Sequence, residues 1–333
     1  MNLHMNTLYC GDNLNIMESL PAKSVDLIAT DPPFNTGRDW GAFNDKWESG
    51  LKGYLKFMEP RLEQCHRVLK DTGSLYLHCD PTASHYLKVM LDGMFGIDNF
   101  RNEIVWKRNS AHNSGSQYGR IHDTLFFYSK SDNWIWNIVY TELSAEYLKK
   151  RYRYSDDMGV FGLQTLQGQG STGGLSSKSW RGINPGKNNR HWSAPRRASI
   201  PDKIKLPDTY ESLTVHEKLD VLDAKGLVYW PPKGKVPRFK RYLSQVKGRK
   251  LQDIFTDICT VQGSSKENLN YSTQKPRALY ERIIKASSNE GDIVLDLFCG
   301  SGTTLDAAQT LGRNYIGIDQ NPEAIEICRK RLG

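Results

Sequence analysis

Apolar and polar positions follow two different periods along this chain, and they do so unevenly. Val25-Asp26-Leu27-Ile28-Ala29-Thr30 is apolar at almost every position, the pattern of a strand covered on both faces. Ser74–Cys79, Glu103–Trp106, Thr124–Tyr128, Asp292–Phe298 and Tyr315–Ile318 read as further strands, with a shorter piece at Thr7–Cys10. Between them the period becomes helical. Leu14, Met17 and Leu20 share one face, as do Leu51, Tyr54, Leu55, Met58, Leu62, Cys65 and Leu69. Helices are also predicted over Thr82–Met94, over Pro276–Ser287, from Thr303 to Gly312, and from Asn321 onward. Pro60 predicts a kink or a division in the second of these helices. Asp71-Thr72-Gly73 reads as a turn, and residues 35–50 read as loop, punctuated by Asn35, Gly37, Gly41, Asn44 and Gly50. Strands alternating with helices predict an α/β fold: an open, mostly parallel sheet with helices on both faces.

From about residue 140 to 250 the pattern weakens. Gly, Ser, Asn and Pro dominate 162–195, and periodic apolar runs are rare. Basic residues crowd this stretch: Lys178, Arg181, Lys187, Arg190, Arg196 and Arg197, then Lys233, Lys235, Arg238, Lys240, Arg241, Lys247, Arg249 and Lys250. No acidic residue falls between 231 and 250, and Trp180, Trp192, Trp230, Phe239 and Tyr242 interleave with the charges. Charge runs are more often solvated faces than sites, but Arg and Lys mixed with aromatics and glycine favour phosphate contact. The expected organisation is residues 1–140, an insertion over 141–255, and a second part of the first domain over 256–333.

Composition adds limits. The chain has 333 residues, net charge +8 and a hydrophobic content of 38%, enough for a sizeable core. A basic balance permits a polyanionic partner. No apolar stretch approaches the ~20 residues of a membrane span, and residues 1–7 lack the basic-then-apolar order of a secretory leader. None of the six cysteines forms a Cys-x-x-Cys pair, and no His cluster has zinc spacing. These features predict a cytoplasmic protein with no structural metal and no membrane partner.

The first strand ends in Asp31-Pro32-Pro33-Phe34. Two prolines stop the ladder because neither has an N–H to donate, and Asp31, lying before one, is held extended. A carboxylate, a Pro32 carbonyl and an aromatic ring on a stiff strand end can capture a flat ligand bearing an amino group. An ordinary strand-ending turn is the reading these four residues leave open on their own.

A second constellation is strand, Gly-x-Gly turn, helix, strand, acid. Asp296 ends one strand, Cys299-Gly300-Ser301-Gly302-Thr303-Thr304 turns into a helix, and Asp319 closes the next strand 17 residues after Gly302. That is the logic of a nucleoside site, with Asp319 on the ribose. The dinucleotide fingerprint is broken, however, because Leu305 stands where a third glycine belongs. Asp296 would repel a pyrophosphate and welcome a cationic amino group. These features suit S-adenosylmethionine (SAM) lying over Asp296–Thr304, with Phe298 against it, better than a dehydrogenase cofactor. Cys299 reads as packing rather than as a nucleophile.

Asp31-Pro32-Pro33-Phe34 together with Asp296-Leu297-Phe298-Cys299-Gly300-Ser301-Gly302 resembles the amino-group DNA methyltransferases, which modify adenine N6 or cytosine N4. The catalytic motif precedes the SAM motif, similar to the circularly permuted β-class, and the stretches around Lys240–Leu243 and Trp180–Gly182 resemble type III-like or standalone modification enzymes. The resemblance implies a seven-stranded Rossmann-like sheet with an inserted target recognition region. It implies Asp31, Pro32, Pro33 and Phe34 as the catalytic corner and Asp12 near the cofactor adenine. Lys275, within Tyr271–Pro276, would approach the cofactor carboxylate. It places Arg181, Arg190, Arg196, Arg197, Lys233, Lys235, Arg238, Lys240 and Arg241 on double-stranded DNA. A homodimer and a companion restriction endonuclease are compatible with it, though neither is written in the residues. No Pro-Cys dipeptide occurs, so cytosine-C5 chemistry is not expected. Asp at the first motif position favours N6-methyladenine, with cytosine-N4 as the alternative; an RNA or protein-amide methyltransferase and a non-catalytic SAM- or DNA-binding module are the competing classes.

Overall fold

The structure, a computed structural model, describes residues 4–38, 45–109, 111, 115–170, 172–232 and 236–333. In chain order the strands are β1 (Thr7–Cys10), β2 (Val25–Thr30), β3 (Leu69–Cys79), β4 (Phe100–Lys107), β5 (His122–Ser129), β6 (Tyr140–Thr141), β7 (Tyr154–Asp156), β8 (Gly159–Thr165), β9 (Gln167–Gln169), β10 (Arg190–Trp192), β11 (Val228–Tyr229), β12 (Arg238–Tyr242), β13 (Arg249–Lys250), β14 (Ile254–Phe255), β15 (Ile293–Asp296) and β16 (Asn314–Asp319). The α-helices are α1 (Asn13–Ser19), α2 (Leu51–Val68), α3 (Ser84–Phe95), α4 (Ala145–Arg151), α5 (Val215–Ala224), α6 (Arg277–Ser287), α7 (Thr303–Thr310) and α8 (Pro322–Leu332). No helix among the described residues is long and apolar enough to cross a membrane.

The chain divides into two compact units, Met1–Val139 with Leu251–Gly333, and Tyr140–Lys250. The first is built on a sheet in the order β1-β16-β15-β2-β3-β5-β4-β14. Neighbours from β1 to β3 pair in parallel, β5 runs antiparallel to both β3 and β4, and β14 is parallel to β4. The sheet therefore has eight strands, not the seven expected. The extra one, β14, is only two residues long, too short for any period to reveal. It also draws residues 251–255, expected with the insertion, into the sheet unit.

Alternation along each strand builds two cores. On one side Ile28, Leu75, Leu77, Phe126, Leu295 and Ile318 meet Met17 of α1, Met58 and Leu62 of α2, and Leu87 and Leu91 of α3. On the other side Leu27, Ala29, Tyr76, Leu125 and Val294 meet Leu279 and Ile283 of α6, Leu305 and Ala308 of α7, and Ile325 of α8. All six residues of β2 are buried, as its unbroken apolar run predicts. Helix α2 runs through Pro60 without division. The turn at Asp71–Gly73 is a bulge inside β3: Val25 pairs with Leu69, but Leu27 pairs with Ser74. Buried Asp26 lies opposite the bulge and accepts from Lys70 and from the Ile293 N–H.

The second unit has its own core. Strands β11, β12, β8 and β7 form an antiparallel sheet, beside the two-stranded pairs β9–β10 and β6–β13. Phe161, Trp180, Trp192, Tyr210, Phe239 and Tyr242 fill this core with Leu166, Leu219, Leu222 and Leu227. The weakly patterned stretch 140–250 is a packed body held by aromatics spaced at no fixed period.

Candidate active site

Parallel strands bring their carboxyl ends to one edge of a sheet, and ligands bind there, where neighbouring crossovers run in opposite directions. In this sheet the chain passes from β15 through α7 to β16 on one side and from β2 through α2 to β3 on the other, with β15 and β2 adjacent. The residues following β1, β16, β15 and β2 include Asp12, Gln320, Leu297 and Asp31, and Asp319 and Asp296 end their strands. A cavity of about 930 Å³ opens on this edge, near the top of the ~300–1,000 Å³ range of ligand pockets. Asp12, Asp31, Pro32, Pro33, Phe34, Lys275, Asp296, Phe298, Gly300, Ser301, Thr303 and Asp319 all line it; of the expected catalytic and cofactor residues, only Gly302 does not.

The packing around the turn explains Gly302 and the missing third glycine. Gly302 caps α7 with φ +76°, and a Cβ there would lie 2.4 Å from the Cys328 sulfur. Leu305 can replace the third glycine because the strand side makes room: a Cβ on Gly317 would lie 2.2 Å from a Leu305 methyl. The Asp319 carboxylate accepts from the Gly300 and Asn321 N–H groups. Asp296 is 2% exposed and accepts from the Thr30 hydroxyl at 2.9 Å and the Phe298 N–H at 3.1 Å. Burial pushes its carboxyl up to about 7, against the hydrogen bonds from Thr304, Phe298 and Thr30. A cation placed on this carboxylate would restore its charge. Two carboxylates beside a glycine turn in a cavity this size fit the ammonium and ribose of SAM. The hydrogen bond with Cys328 and burial push the Cys299 thiol well up, which favours packing over nucleophilic attack.

The Asp31 corner is more crowded than its motif implies. Lys275 hydrogen-bonds Asp31 Oδ2 and stands 5.0 Å from the centre of the Phe34 ring. Its ammonium thus faces the corner carboxylate in this structure; the family resemblance expected it near the carboxylate of the cofactor, and it lines the same cavity. Buried Asp45 fixes the loop beyond Phe34 by accepting from the Asn35 N–H at 2.8 Å and the Thr36 N–H at 2.7 Å. Asp12 caps α1 and accepts two bonds from Arg61, whose guanidinium also reaches Asn13. On the far side of Asp31, His78 lies between Asp31 and Asp123, and Arg108 reaches Asp123. Burial pushes the Asp123 carboxyl up, but His78, Arg108 and Lys275 together outweigh it and hold it below its ordinary value. Arg61, His78, Asp45 and Asp123 were not singled out from sequence. His78 and Asp123 sit inside strands that read as core, and only strand pairing reveals them.

In the second unit, Arg181 pairs with Asp220 and Asp223, and Lys240 pairs with Asp156. Arg197 donates to the Pro207 carbonyl, and Arg241 donates to Gln164. Among the described residues, Arg190, Arg196 and Arg238 form no ion pair. Lys233 and Lys235 lie outside the described residues.

Comparison with known proteins agrees with this geometry. A family profile described as DNA methylase, of the N6/N4 methyltransferases, matches residues 25–330. The type II methyltransferase M.EcaI of Enterobacter cloacae is 33% identical over 315 residues, covering 93% of this chain and 65% of that one. The DNA adenine methyltransferase YhdJ of Escherichia coli K12 is 28% identical over 327 residues, covering 98% and 82%. The PvuII DNA methyltransferase, cytosine-N4-specific, shares the fold with TM-score 0.54 at 14% identity, covering 99% and 87%. This chain therefore spans just under two-thirds of the length of M.EcaI. The family's cofactor is S-adenosylmethionine. The chain, with its Asp-Pro-Pro-Phe corner and glycine turn on one cavity, belongs to the N6/N4 family of DNA methylases.

Proposed function

We propose that this protein is a site-specific DNA methyltransferase that transfers the methyl group of SAM to the N6 amino group of an adenine flipped out of double-stranded DNA. The observation that carries this reading is the convergence of Asp31–Phe34 with Asp296, Gly300, Ser301 and Asp319 on one cavity. In this reading Asp296 takes the cofactor ammonium, Asp319 its ribose and Asp12 the neighbourhood of its adenine. The strand order, with β1 beside β16, supports the permuted arrangement: Thr7–Cys10 continues the sheet where α8 leaves it.

Bound SAM supplies a methyl group on a cationic sulfur. The remaining work falls to the chain. An aromatic amine is a weak nucleophile because its lone pair is conjugated with the ring. The Asp31 carboxylate and the Pro32 carbonyl accept its two N–H bonds and draw the lone pair out of conjugation. Each carboxylate oxygen has two acceptor sites, so Asp31 can hold Lys275 and still receive the amine. Transfer would form the N–C bond as the methyl carbon–sulfur bond of SAM breaks, leaving a neutral thioether, and the amine would pass its extra proton to Asp31, the acceptor in place. Phe34 stacks on the base, and positioning of this kind can contribute up to ~7–11 kcal/mol. Flipping the base costs a few kcal/mol. Phosphate contacts from the basic insertion, with Arg190, Arg196 and Arg238 least committed elsewhere, offset that cost.

The 28% identity to a DNA adenine methyltransferase and the Asp at the first motif position support adenine. Cytosine-N4 is the second reading, since a cytosine-N4-specific enzyme shares the fold. Labelled SAM offered in parallel to DNA, RNA and protein, followed by mass spectrometry of the digested nucleosides, tests both. N6-methyladenine is the expected product. N4-methylcytosine alone would replace the base and keep the mechanism, and label only in RNA or protein would reject the DNA reading.

A further inference from the structure

His78 is 1% exposed, borders the corner carboxylate, and has no part in the reaction as described above. Its Nδ1 lies 3.3 Å from Asp31 Oδ1 and its Nε2 lies 3.3 Å from Asp123 Oδ2. Asp123 is also 1% exposed, and Arg108 Nε lies 3.2 Å from its other oxygen. The ring cannot easily turn away. It packs against Trp106 edge-on at 5.7 Å and against Phe34 at 5.2 Å, and its backbone is fixed by the register of β3 with β5, where His78 pairs with Leu125.

A neutral imidazole has one N–H for these two carboxylates. Serving Asp31 leaves a lone pair facing Asp123, and serving Asp123 leaves one facing Asp31; only the ring with both N–H groups serves both. Asp31 Oδ1, His78 Nδ1, Asp123 Oδ1 and Arg108 Nε are all buried at ion-pair distance without hydrogen-bond alignment. Four adjacent misaligned groups form a chain that small movements would close, as catalytic hydrogen bonds do when substrate arrives.

Building on the methyltransferase reading, we propose that His78, held by Asp123 and Arg108, is a positioning residue for Asp31. The imidazole fixes Oδ1, so the lone pairs of the carboxylate left free by His78 and Lys275 face the target amine. The residue touches neither base nor cofactor and acts through Asp31.

Two measurements test this. The first is single-turnover transfer from bound labelled SAM to unmethylated double-stranded DNA, with SAM affinity read by calorimetry. His78→Asn should slow transfer about 10²-fold and Asp123→Asn about tenfold, with SAM affinity within about threefold of the parent. The double variant should be no slower than His78→Asn alone, because both act through one contact. A rate for His78→Asn within about threefold of the parent, or a double variant slowed by the product of the single effects, overturns the proposal. The second is the imidazole ¹⁵N spectrum of the full chain without nucleic acid, with His78 assigned by the signal lost in His78→Asn or, should that variant not fold, by through-bond correlation. Asp31→Asn should move the Nδ1 resonance of His78, and Asp123→Asn should move Nε2. An Nδ1 resonance unmoved by Asp31→Asn overturns the link. Absence of methyl transfer to DNA by the parent protein would reject the DNA reading, while the imidazole spectrum would still decide this one.

Discussion

The two units of this protein solve the problem of burying side chains in opposite ways. The sheet unit is built on one continuous sheet, with strands of up to eleven residues whose alternate residues face two layers of helices, and its cores are mostly aliphatic. The inserted unit, Tyr140–Lys250, has strands of two to seven residues joined by irregular backbone, and half of its twelve buried core residues are aromatic. Large rings cover irregular backbone where short aliphatics could not. The consequence is a division of labour. Parallel strand ends hold the corner and the glycine turn of the sheet unit to the geometry of the ladder. The inserted unit keeps its fold in its rings, and its basic side chains lie outside that core.

Four experiments sharpen or break that contrast. The largest effect is expected at Asp31: Asp31→Ala should lower methyl transfer by at least about 10³-fold, as loss of a group aimed at the reacting centre does, while calorimetry still finds SAM bound. Near-parental turnover would remove the corner from the chemistry. Next, Trp192→Ala should destabilise the inserted unit by about 3–5 kcal/mol. Hydrogen exchange should show protection lost within 140–250 and retained in the sheet strands; uniform loss would mean the two cores are one cooperative body.

A smaller effect concerns Asp296, whose carboxyl burial raises to about 7. In the proposed reading the cofactor ammonium binds the ionised form, so affinity should be full above that value and fall below it. SAM should bind about tenfold more weakly at pH 6 than on the alkaline plateau, with a proton released on binding near neutrality. Asp296→Asn should bind weakly at every pH and lose that dependence. The smallest effect is on the insertion surface. Arg238→Gln should reduce the log–log salt slope of DNA binding by about 0.9, one phosphate's share. Lys240→Gln, whose charge is already paired with Asp156, should change the slope less. Equal slopes in the two variants would show that local pairing does not decide which cations meet DNA.

Much of the sheet unit was legible beforehand. Thr7–Cys10, Val25–Thr30 and Tyr315–Asp319 lie where apolar runs placed them, and the helices of this unit start within a few residues of their expected first positions. The departures have local causes. Pro60 does not divide α2, because tertiary packing of Met58 and Leu62 outweighs the lost hydrogen bond. The turn at residues 71–73 became a bulge because strand pairing resumes beyond it. The inserted unit was illegible because Trp180, Trp192, Tyr210 and Phe239 follow neither a period of 2 nor one of 3.6.

The same boundary runs through the site. Sequence by itself determined which residues stand at strand ends and turns: Asp31 before two prolines, Asp296 before a glycine turn, Asp319 closing the next strand. Those positions follow from backbone rules acting over a few residues. Only the tertiary structure decided that Lys275 faces Asp31 across 244 residues of chain, that Asp123 lies behind His78, and that Asp45 pins the loop after Phe34. Strand pairing sets which end lies beside which, and it is fixed by burial and ladder hydrogen bonds between distant segments, which no local pattern encodes.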